Sequence, residues 1–320
     1  MRVLVTGGGG FIGSWTVEAL VAAGHEPLVY DSFVTGHTAY LGAVRAAIPV
    51  VTGDIRHALV LQRAVRQFRP HSIIHLAASV SVPLSLRFPI RSHDTNTRGT
   101  LSVLEAARAG GVDRVVLASS AAVYGRNDEV PLPEDAPLLP LSPYALQKRM
   151  GEDYARIYSD LYGLETVALR YFNVFGPRQD PASPYSGVIS RFAAAARAGH
   201  PVTITGDGTQ TRDFVFVADV ARANVAATTA PLIGHHAINV GTGQAVSLLE
   251  LRGAIAAVTG RMLPYELAPP RPGDVLHSCA DVTRMRALLN ITCTRGLDSG
   301  LRALLNSYQA PSARLLRDGE

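Results

Sequence analysis

The chain has 320 residues and a mass of 34.0 kDa, with 47% hydrophobic residues, 18% charged residues and a mean hydropathy of +0.15. This composition excludes a disordered chain, and the length suits two domains. Its net charge of +4 comes from scattered basic residues, so nucleic acid is not an expected partner. Two cysteines, Cys279 and Cys293, exclude a disulfide framework, and no apolar run has the length of a membrane span. Because the first residues also lack a signal-peptide pattern, we expect a cytoplasmic protein without a membrane partner.

Strand and helix patterns alternate along the first half of the chain. Short apolar runs predict strands at Val3–Thr6, Pro27–Tyr30, Val50–Thr52, Ile73–Leu76, Val115–Ser119 and Thr166–Arg170. Helical patterns separate them at Gly13–Ala23, Ala58–Gln67, Asn96–Ala109 and Pro143–Tyr162. This alternation is typical of an α/β fold, and we predict a Rossmann-type, doubly wound parallel sheet with helices on both faces.

The composition changes after Tyr171, where prolines and glycines become frequent. We therefore predict a first domain at residues 1–172, completed by part of 214–240. Residues 173–320 would form a smaller C-terminal α/β domain over the carboxyl edge of the sheet, where open sheets of this type bind ligands. Residues after Gln309 are expected to be a frayed end.

A glycine motif follows the first predicted strand and opens the first helix. Gly7, Gly10 and Gly13 give the spacing GxxGxxG, with Phe11 and Ile12 between the last two. The first glycine permits a tight turn, the second lets the backbone approach a pyrophosphate, and the third lets helix and strand pack closely. The start of the helix then offers N–H groups to phosphates. The motif predicts a dinucleotide site rather than an empty glycine turn.

Asp31 lies at the end of the second predicted strand, where a carboxylate accepts both hydroxyls of an adenosine ribose and repels a 2′-phosphate. No Arg or Lys lies between Trp15 and Leu41. NAD is therefore favoured over NADP, and residues 1–172 become the NAD-binding domain. Later strand ends add cofactor candidates, which are Asp54 and Ile55 near the adenine and the small run Leu76, Ala77 and Ala78 along the cofactor. We interpret His75 as a core histidine whose hydrogen bonds are satisfied.

The pair Tyr144 and Lys148 carries the strongest signal for catalysis. Of 30 basic residues 29 are arginine, and Lys148 is the only lysine. Spacing i, i+4 places both residues on one helix face, just after a Ser142 cap and Pro143. A neighbouring ammonium should lower the tyrosine pKa, so Tyr144 is a candidate general base. Ser119 and Ser120 end a predicted strand near the cofactor, where a hydroxyl would bond a substrate oxygen.

Together these motifs resemble the extended short-chain dehydrogenases/reductases. The resemblance rests on the glycine motif, the run 119–125 (SSAAVYG), Tyr144-x-x-x-Lys148 and the run 170–177 (RYFNVFGP). More narrowly, nearly the whole chain is similar to NAD-dependent nucleotide-sugar 4-epimerases of the UDP-glucose/UDP-N-acetylglucosamine type.

The resemblance implies an activity and a set of residues. Tyr144 would abstract the proton of the 4-hydroxyl while hydride leaves C4, Lys148 would tune it and hold the nicotinamide ribose, and Ser120 would bond O4. Further cofactor contacts would come from Asn96 and Tyr171. Residues 173–320 would bind the UDP-sugar through Asn173, Val188, Arg212, Arg271, Asp274 and Ser278, with 185–189 around the uracil. Ser278 faces the 2-substituent in this resemblance, so N-acetylated sugars should fit. The family is expected to act as a homodimer.

Alternative functions remain open to different degrees. A 4,6-dehydratase needs an acidic pair after Ser120, but Ala121 and Ala122 stand there, so elimination of water lacks proton carriers. A UDP-glucuronate 4-epimerase or decarboxylase is harder to exclude. A non-catalytic NAD-binding module is disfavoured because Ser120, Tyr144 and Lys148 are all present. The pair His235-His236 has no partner at metal-ligand spacing, so we interpret it as a loop and expect no metal.

Overall fold

The computed structural model describes residues 1–42, 44–127, 129–180, 187–270 and 275–308. Thirteen strands lie in these ranges. They are β1 (Arg2–Thr6), β2 (Glu26–Asp31), β3 (Val50–Thr52), β4 (Ser72–His75), β5 (Arg114–Ser120), β6 (Glu165–Tyr171), β7 (Asn173–Phe175), β8 (Val202–Thr205), β9 (Thr211–Arg212), β10 (Phe214–Phe216), β11 (His235–Val240), β12 (Val246–Ser247) and β13 (Tyr265–Ala268).

Eleven α-helices lie in the same ranges. They are α1 (Phe11–Ala22), α2 (Ala58–Phe68), α3 (Val82–Arg87), α4 (Pro89–His93), α5 (Gly99–Gly110), α6 (Pro143–Tyr162), α7 (Val188–Ala198), α8 (Val217–Thr229), α9 (Leu248–Thr259), α10 (Thr283–Leu289) and α11 (Leu297–Ser307). A π-helical turn at Asp94–Arg98 joins α4 to α5. None of the described helices combines the length and the apolar character that a membrane crossing requires.

Seven strands form one parallel sheet in the order β11-β6-β5-β4-β1-β2-β3. Helices α1 and α8 pack together on one face, and α2, α5 and α6 pack on the other. Two apolar cores result, one on each side of the sheet, with Val5 and Val116 in the first and Leu4 and Val115 in the second. The predicted doubly wound α/β fold is confirmed, and each of the six predicted strands is present to within one residue at either end.

The order of the strands reverses at β1, which has β2 on one side and β4 on the other. The segments that follow β1 and β4 run to opposite faces of the sheet. This divergence opens a crevice at the carboxyl ends of these two strands. Thr6 closes the bottom of this crevice, because its hydroxyl contacts His75 Nδ1 at 2.8 Å and accepts from the Ala77 amide at 3.3 Å.

The part of the chain that follows Phe172 builds a smaller unit with a core of its own. Its strands form three pairs, with β7 beside β10, β8 beside β13 and β9 beside β12. Phe175, Phe192, Leu251 and Leu304 are buried between these pairs and helices α7, α9 and α11. The same region also returns one strand, β11, to the large sheet beside β6. The boundary at 172/173 therefore falls between the end of β6 and the start of β7.

Candidate active site

The glycine loop after β1 has the geometry of a phosphate cradle. Gly7 has a φ of +72°, and a Cβ there would lie 2.6 Å from the Ala77 nitrogen. A Cβ at Gly13 would lie 2.0 Å from the Gly7 oxygen, so α1 can pack this closely only with glycine. Gly10 caps α1 without any side-chain hydrogen bond. The first-turn N–H groups of Phe11 and Ile12 therefore have no side-chain acceptor at the cap, which is the condition for binding an anion.

Asp31 faces this loop from the end of β2. Its Oδ2 accepts from the Gly9 amide at 2.8 Å and its Oδ1 accepts from the Phe33 amide at 2.8 Å. Each carboxylate oxygen keeps a lone pair, so both can accept a further donor such as a ribose hydroxyl. The carboxylate is largely buried, which makes a neighbouring phosphate unfavourable. The position suits the adenosine ribose of NAD.

The remaining predicted cofactor residues are distributed around the crevice. Asp54 forms an ion pair with Arg56 at 2.5 Å, and the guanidinium holds the pKa of Asp54 below its usual value. Ile55 is buried beside Gly99. Leu76, Ala77 and Ala78 follow β4 and are half-buried, so they line the crevice without filling it.

Two of the predicted cofactor residues use their polar groups within the protein. The Asn96 carboxamide accepts from the Ser79 amide at 2.7 Å and donates to the Ser79 carbonyl at 2.9 Å. It thus holds the segment that follows Ala78. The Tyr171 hydroxyl donates to Asn224 Oδ1 at 2.5 Å, and burial raises the pKa of this phenol. Only the ring and the backbone of Tyr171 remain for a ligand.

The structure brings Ser120, Tyr144 and Lys148 together at the carboxyl end of β5. Ser142 caps α6 by accepting from the Ala145 amide at 3.1 Å, which places Tyr144 in the first turn. Ser120 is the last residue of β5; its hydroxyl lies close to the Tyr144 phenol and accepts from the Ala122 amide at 3.2 Å. One turn further along α6, Lys148 Nζ donates to the carbonyl of Ala118 at 2.7 Å.

The pKa values of this trio differ from the expectation drawn from spacing. Burial raises the pKa of Tyr144, and the hydrogen bond from Ser120 offsets only part of the effect. The expected lowering by Lys148 was wrong, because the ammonium lies 5.9 Å from the ring centroid and bonds a backbone carbonyl. Burial lowers the pKa of Lys148 to about 8, against the charge of Glu152, which raises it.

His75 is a structural residue. Its Nδ1 lies 2.8 Å from Thr6 Oγ1 and its Nε2 lies 2.9 Å from Thr100 Oγ1, so both ring nitrogens are satisfied. Burial and the nearby Lys148 charge lower its pKa to about 3, and the ring is therefore neutral. The interpretation as a satisfied core histidine is confirmed.

Three of the predicted substrate residues lie around β7, β9 and β10. Asn173 begins β7, two residues after the partner of Ser120 in the sheet, and pairs with Phe214. Arg212 ends β9 and donates to the Leu276 carbonyl at 3.3 Å. Ser278 is buried against the same strand, where its amide donates to the Thr211 carbonyl at 3.2 Å.

The other substrate residues lie further away or outside the description. Val188 begins α7 and is half-buried against the core of the smaller unit. Arg271, Asp274 and the start of the 185–189 segment lie outside the described residues.

Two other expectations concern side chains near this edge. Ala121 and Ala122 form a short 3₁₀ turn directly after Ser120, so no carboxylate follows it there. His235 Nδ1 contacts Thr166 Oγ1 at 2.8 Å and His236 Nε2 contacts the Ile233 carbonyl at 3.0 Å, so the two rings have separate partners. Within the described ranges no group of three or more His, Cys, Asp and Glu side chains could hold a metal.

Sequence reasoning missed the group that lies directly behind the trio. Ser119 donates to Glu152, and Glu152 forms a buried ion pair with Arg170 at 2.7 Å. The sequence contained one sign of this role, because Glu152 follows Lys148 by four residues, as Lys148 follows Tyr144 along α6.

Comparison with known proteins agrees with this geometry. The model of the NAD dependent epimerase/dehydratase family matches residues 3–241. The UDP-glucose 4-epimerase of Mycolicibacterium smegmatis is 42% identical over 315 residues, which cover 98% of this chain and 100% of that protein. The UDP-glucose 4-epimerase of Thermotoga maritima, solved with UDP-glucose, superposes with a TM-score of 0.91 at 35% identity, covering 97% of this chain and 99% of that one. A UDP-N-acetylglucosamine 4-epimerase from Methanobrevibacter ruminantium, solved with UDP-N-acetylmuramic acid, has a TM-score of 0.91 at 34% identity, covering 96% and 98%.

Proposed function

The chain belongs to the NAD dependent epimerase/dehydratase family, and we propose that it inverts the configuration at C4 of a UDP-hexose. The observation that carries this proposal is the cluster at the end of β5, where the Tyr144 phenol lies close to the Ser120 hydroxyl and the sole lysine lies one helical turn away. A phenol, a hydroxyl and an ammonium at one strand end form a set of groups that can take a proton from an alcohol and stabilise the carbonyl that results.

The crevice fits NAD on three independent features. The glycine loop leaves room for a pyrophosphate above Gly10, the uncapped start of α1 offers N–H donors, and Asp31 offers two oxygens to a ribose. Bound NAD supplies a hydride acceptor for the sugar C4 and, when oxidised, a positive charge near the phenol. The overall reaction neither consumes nor produces reducing equivalents, so no second oxidant is required.

The chain's own residues hold and move the proton. Tyr144 takes the proton of the 4-hydroxyl, and Ser120 donates a hydrogen bond to the oxygen as it becomes a carbonyl. Since burial keeps the pKa of Tyr144 high in the protein alone, the phenol loses its proton only when further positive charge enters the site. Lys148, anchored on the Ala118 carbonyl, holds its ammonium 5.9 Å from the centre of the Tyr144 ring and would bind the nicotinamide ribose.

The substrate we propose is a UDP-hexose with or without a 2-acetamido group. Arg212 and Arg271 would bind the pyrophosphate, where a guanidinium makes bidentate contacts, and Asp274 would bind the uridine ribose. Asn173 begins the strand that follows Tyr171, the sheet partner of Ser120, and it pairs with Phe214, two residues after Arg212. This position places Asn173 between the trio and Arg212. Ser278 lies beside β9, and its side chain is far smaller than the tyrosine that hexose-limited members of the resembling family carry there, so a 2-acetamido group should fit. The relatives support both sugar types, since they include UDP-glucose and UDP-N-acetylglucosamine 4-epimerases.

Incubation with five nucleotide sugars tests the proposal. Purified protein is mixed with UDP-glucose, UDP-galactose, the two UDP-N-acetylhexosamines and UDP-glucuronate, and the products are identified by the anomeric signals in proton NMR. We expect the glucose and galactose forms to interconvert, and likewise the two N-acetylhexosamines, while UDP-glucuronate stays unchanged. Tyr144→Phe serves as the inactive control. Conversion of UDP-glucuronate alone would replace this proposal by the uronic-acid epimerase.

We also propose that two copies pair through an apolar stripe on α3, α4 and α6. Helices α3 and α4 pack against α6, and the stripe consists of Leu86, Ile90, Leu146, Ile157 and Leu161, which are all exposed. Two exposed ion pairs flank the stripe along α6, Arg149 with Asp153 and Arg156 with Asp160. A two-fold axis would bring the same patch of both copies together, so positive and negative charges of one copy could face their opposites on the other. Light scattering of Ile157→Glu against the natural protein tests the dimer.

Both cysteines are free thiols, which agrees with a reducing, cytoplasmic compartment.

A further inference from the structure

Three consecutive residues at the end of β5 each face a different residue of α6. The Ser120 hydroxyl lies close to Tyr144, the Ala118 carbonyl accepts from Lys148, and the Ser119 hydroxyl donates to Glu152. The three helix residues are spaced by four, so they form one row along the helix. The first two belong to the proposed catalytic trio, and the third has no part in it.

Glu152 is buried and fully engaged. Arg170 donates to both of its oxygens, with Nη2 at 2.7 Å from Oε2 and Nε at 3.0 Å from Oε1. Glu152 is 5% exposed and Arg170 is 4% exposed. Arg170 lies directly opposite Ser119 in the sheet, and it also donates to the Glu134 carbonyl at 2.7 Å. Glu152 therefore joins α6, β5 and β6 behind the trio.

We propose that Glu152 is a positioning residue of this site: its carboxylate fixes the end of β5 against α6 and keeps the Lys148 ammonium charged and in place. The inference rests on the proposed function, because it assigns Glu152 a role through Lys148. Lys148 is the one amine on this face, and burial alone works against its charge. A carboxylate one turn away opposes that effect.

Among the described residues, the titratable groups around Lys148 and the Glu152–Arg170 pair include one other carboxylate, Glu134, which pairs with Arg284 at 3.7 Å. The rest supply no negative charge: His75 on β4 is neutral, Tyr144 on α6 and Tyr124 after β5 are protonated phenols, Arg170 on β6 is cationic, and burial lowers the pKa of His235 on β11. Among the described residues, Glu152 is the anion whose charge acts on Lys148.

Because Lys148 is the only lysine, its ionisation can be measured directly. Protein carrying lysine labelled with ¹³C at Cε, and no lysine in any tag, gives one side-chain signal whose shift follows the charge. The titration is recorded on the protein with its resident cofactor and without substrate. It needs no turnover, so it reports on Glu152 even if the proposed reaction is wrong.

Glu152→Gln removes the charge and retains the shape. We expect the midpoint of the Lys148 titration to fall by about one pH unit, the size that one nearby opposite charge contributes. The alkaline limb of kcat/KM should move to lower pH by the same amount, while KM changes less than two-fold. Glu152→Asp keeps a negative charge and should return at least half of the shift. An unchanged midpoint in Glu152→Gln, or an equal fall in Glu152→Asp, would overturn the proposal.

The control is a second ion pair, which joins β5 to β6 and in which Arg114 is buried and Glu165 is partly exposed. Arg114 pairs with Glu165 at 2.6 Å, and the two face each other at the amino ends of β5 and β6, about 16 Å of strand away from Ser119. Glu165→Gln should leave the Lys148 midpoint unchanged, and an equal shift there would show a general structural effect. If Glu152→Gln does not fold, Glu152→Gln with Arg170→Gln removes both buried charges. Because Arg170→Gln removes a cation as well, the double variant is compared with Arg170→Gln alone. The Lys148 midpoint should be lower by about one pH unit in the double variant, and equal midpoints would refute the role of Glu152.

Discussion

Replacing Lys148 with arginine tests the central assignment, because it keeps the positive charge and changes only the shape of the group that carries it. In the structure the ammonium donates to the Ala118 carbonyl at 2.7 Å and lies 5.9 Å from the centre of the Tyr144 ring. An ammonium is compact, whereas a guanidinium is a wide planar fork that needs more room. The chain uses arginine at 29 of its 30 basic positions, so arginine at 148 would be no departure from its composition.

The expected loss follows from two contributions. A hydrogen bond from a charged donor contributes about 1.5–3 kcal/mol when its partner is held in place. Displacing the charge by about 1 Å in a site of this kind reduces turnover about 100-fold, which equals about 2.7 kcal/mol in the barrier. We therefore expect Lys148→Arg to lower kcat at least 100-fold, with a melting temperature close to that of the natural protein.

The assay couples galactose-to-glucose conversion of the nucleotide sugar to a dehydrogenase that acts on UDP-glucose. Arg149→Lys is the matched control, because it makes the reverse exchange on the next residue of the same helix. Arg149 donates to the Leu138 carbonyl at 3.0 Å and has no contact with the trio, so its exchange should leave kcat within two-fold. A Lys148→Arg enzyme that keeps more than a tenth of the natural rate would refute the reasoning.

Three further predictions follow from the site. Gly13→Ala should abolish NAD retention after purification, because its Cβ would lie 2.0 Å from the Gly7 oxygen, whereas Gly253→Ala, which meets nothing within 4 Å, should retain NAD; cofactor released on denaturation is the measurement. Ser278→Tyr should remove turnover of UDP-N-acetylhexosamines at least 100-fold while sparing hexoses within about five-fold, and equal loss on both would contradict a steric role. The pH profile of kcat/KM should decline as pH rises through about 8, where Lys148 loses its proton, and a flat profile to pH 10 would show that its charge is not required.

Periodicity and strand–helix alternation were sufficient for six of the seven strands of the large sheet. The seventh, β11, was not predicted, and the interpretation of His235-His236 as a loop was wrong because both residues begin that strand. The strand at Val50–Thr52 and the helix at Pro143–Tyr162 were predicted to the residue, because each is bounded by strong signals, such as the Ser142 cap and Gly163 at the end of α6. Helices α3 and α4 were not predicted. Each has fewer than seven residues and begins at or beside a proline, so neither has room for a helical repeat.

The catalytic trio could be proposed from sequence because its members carry unusual signals, above all the single lysine. Glu152 carries only the weak signal of its i, i+4 spacing from Lys148, because glutamate on a helix is usually solvated. Its burial depends on Arg170, which lies on β6. The Asn96 interaction with Ser79 is of the same kind, because both carboxamide bonds reach across a loop. Long-range polar pairs of this type leave no local pattern in the chain.

The direction of the Tyr144 pKa shows why spacing alone misled. Residues i and i+4 share a face but are offset by about 6 Å along the helix axis, so the ammonium reaches the ring and the carbonyl of Ala118 rather than the phenol oxygen. Burial then dominates, and the phenol is protonated until more positive charge arrives. Proton abstraction is thereby tied to a filled site. A base that was ionised in the empty crevice would itself be a buried anion without a partner, and such a group is strongly unfavourable.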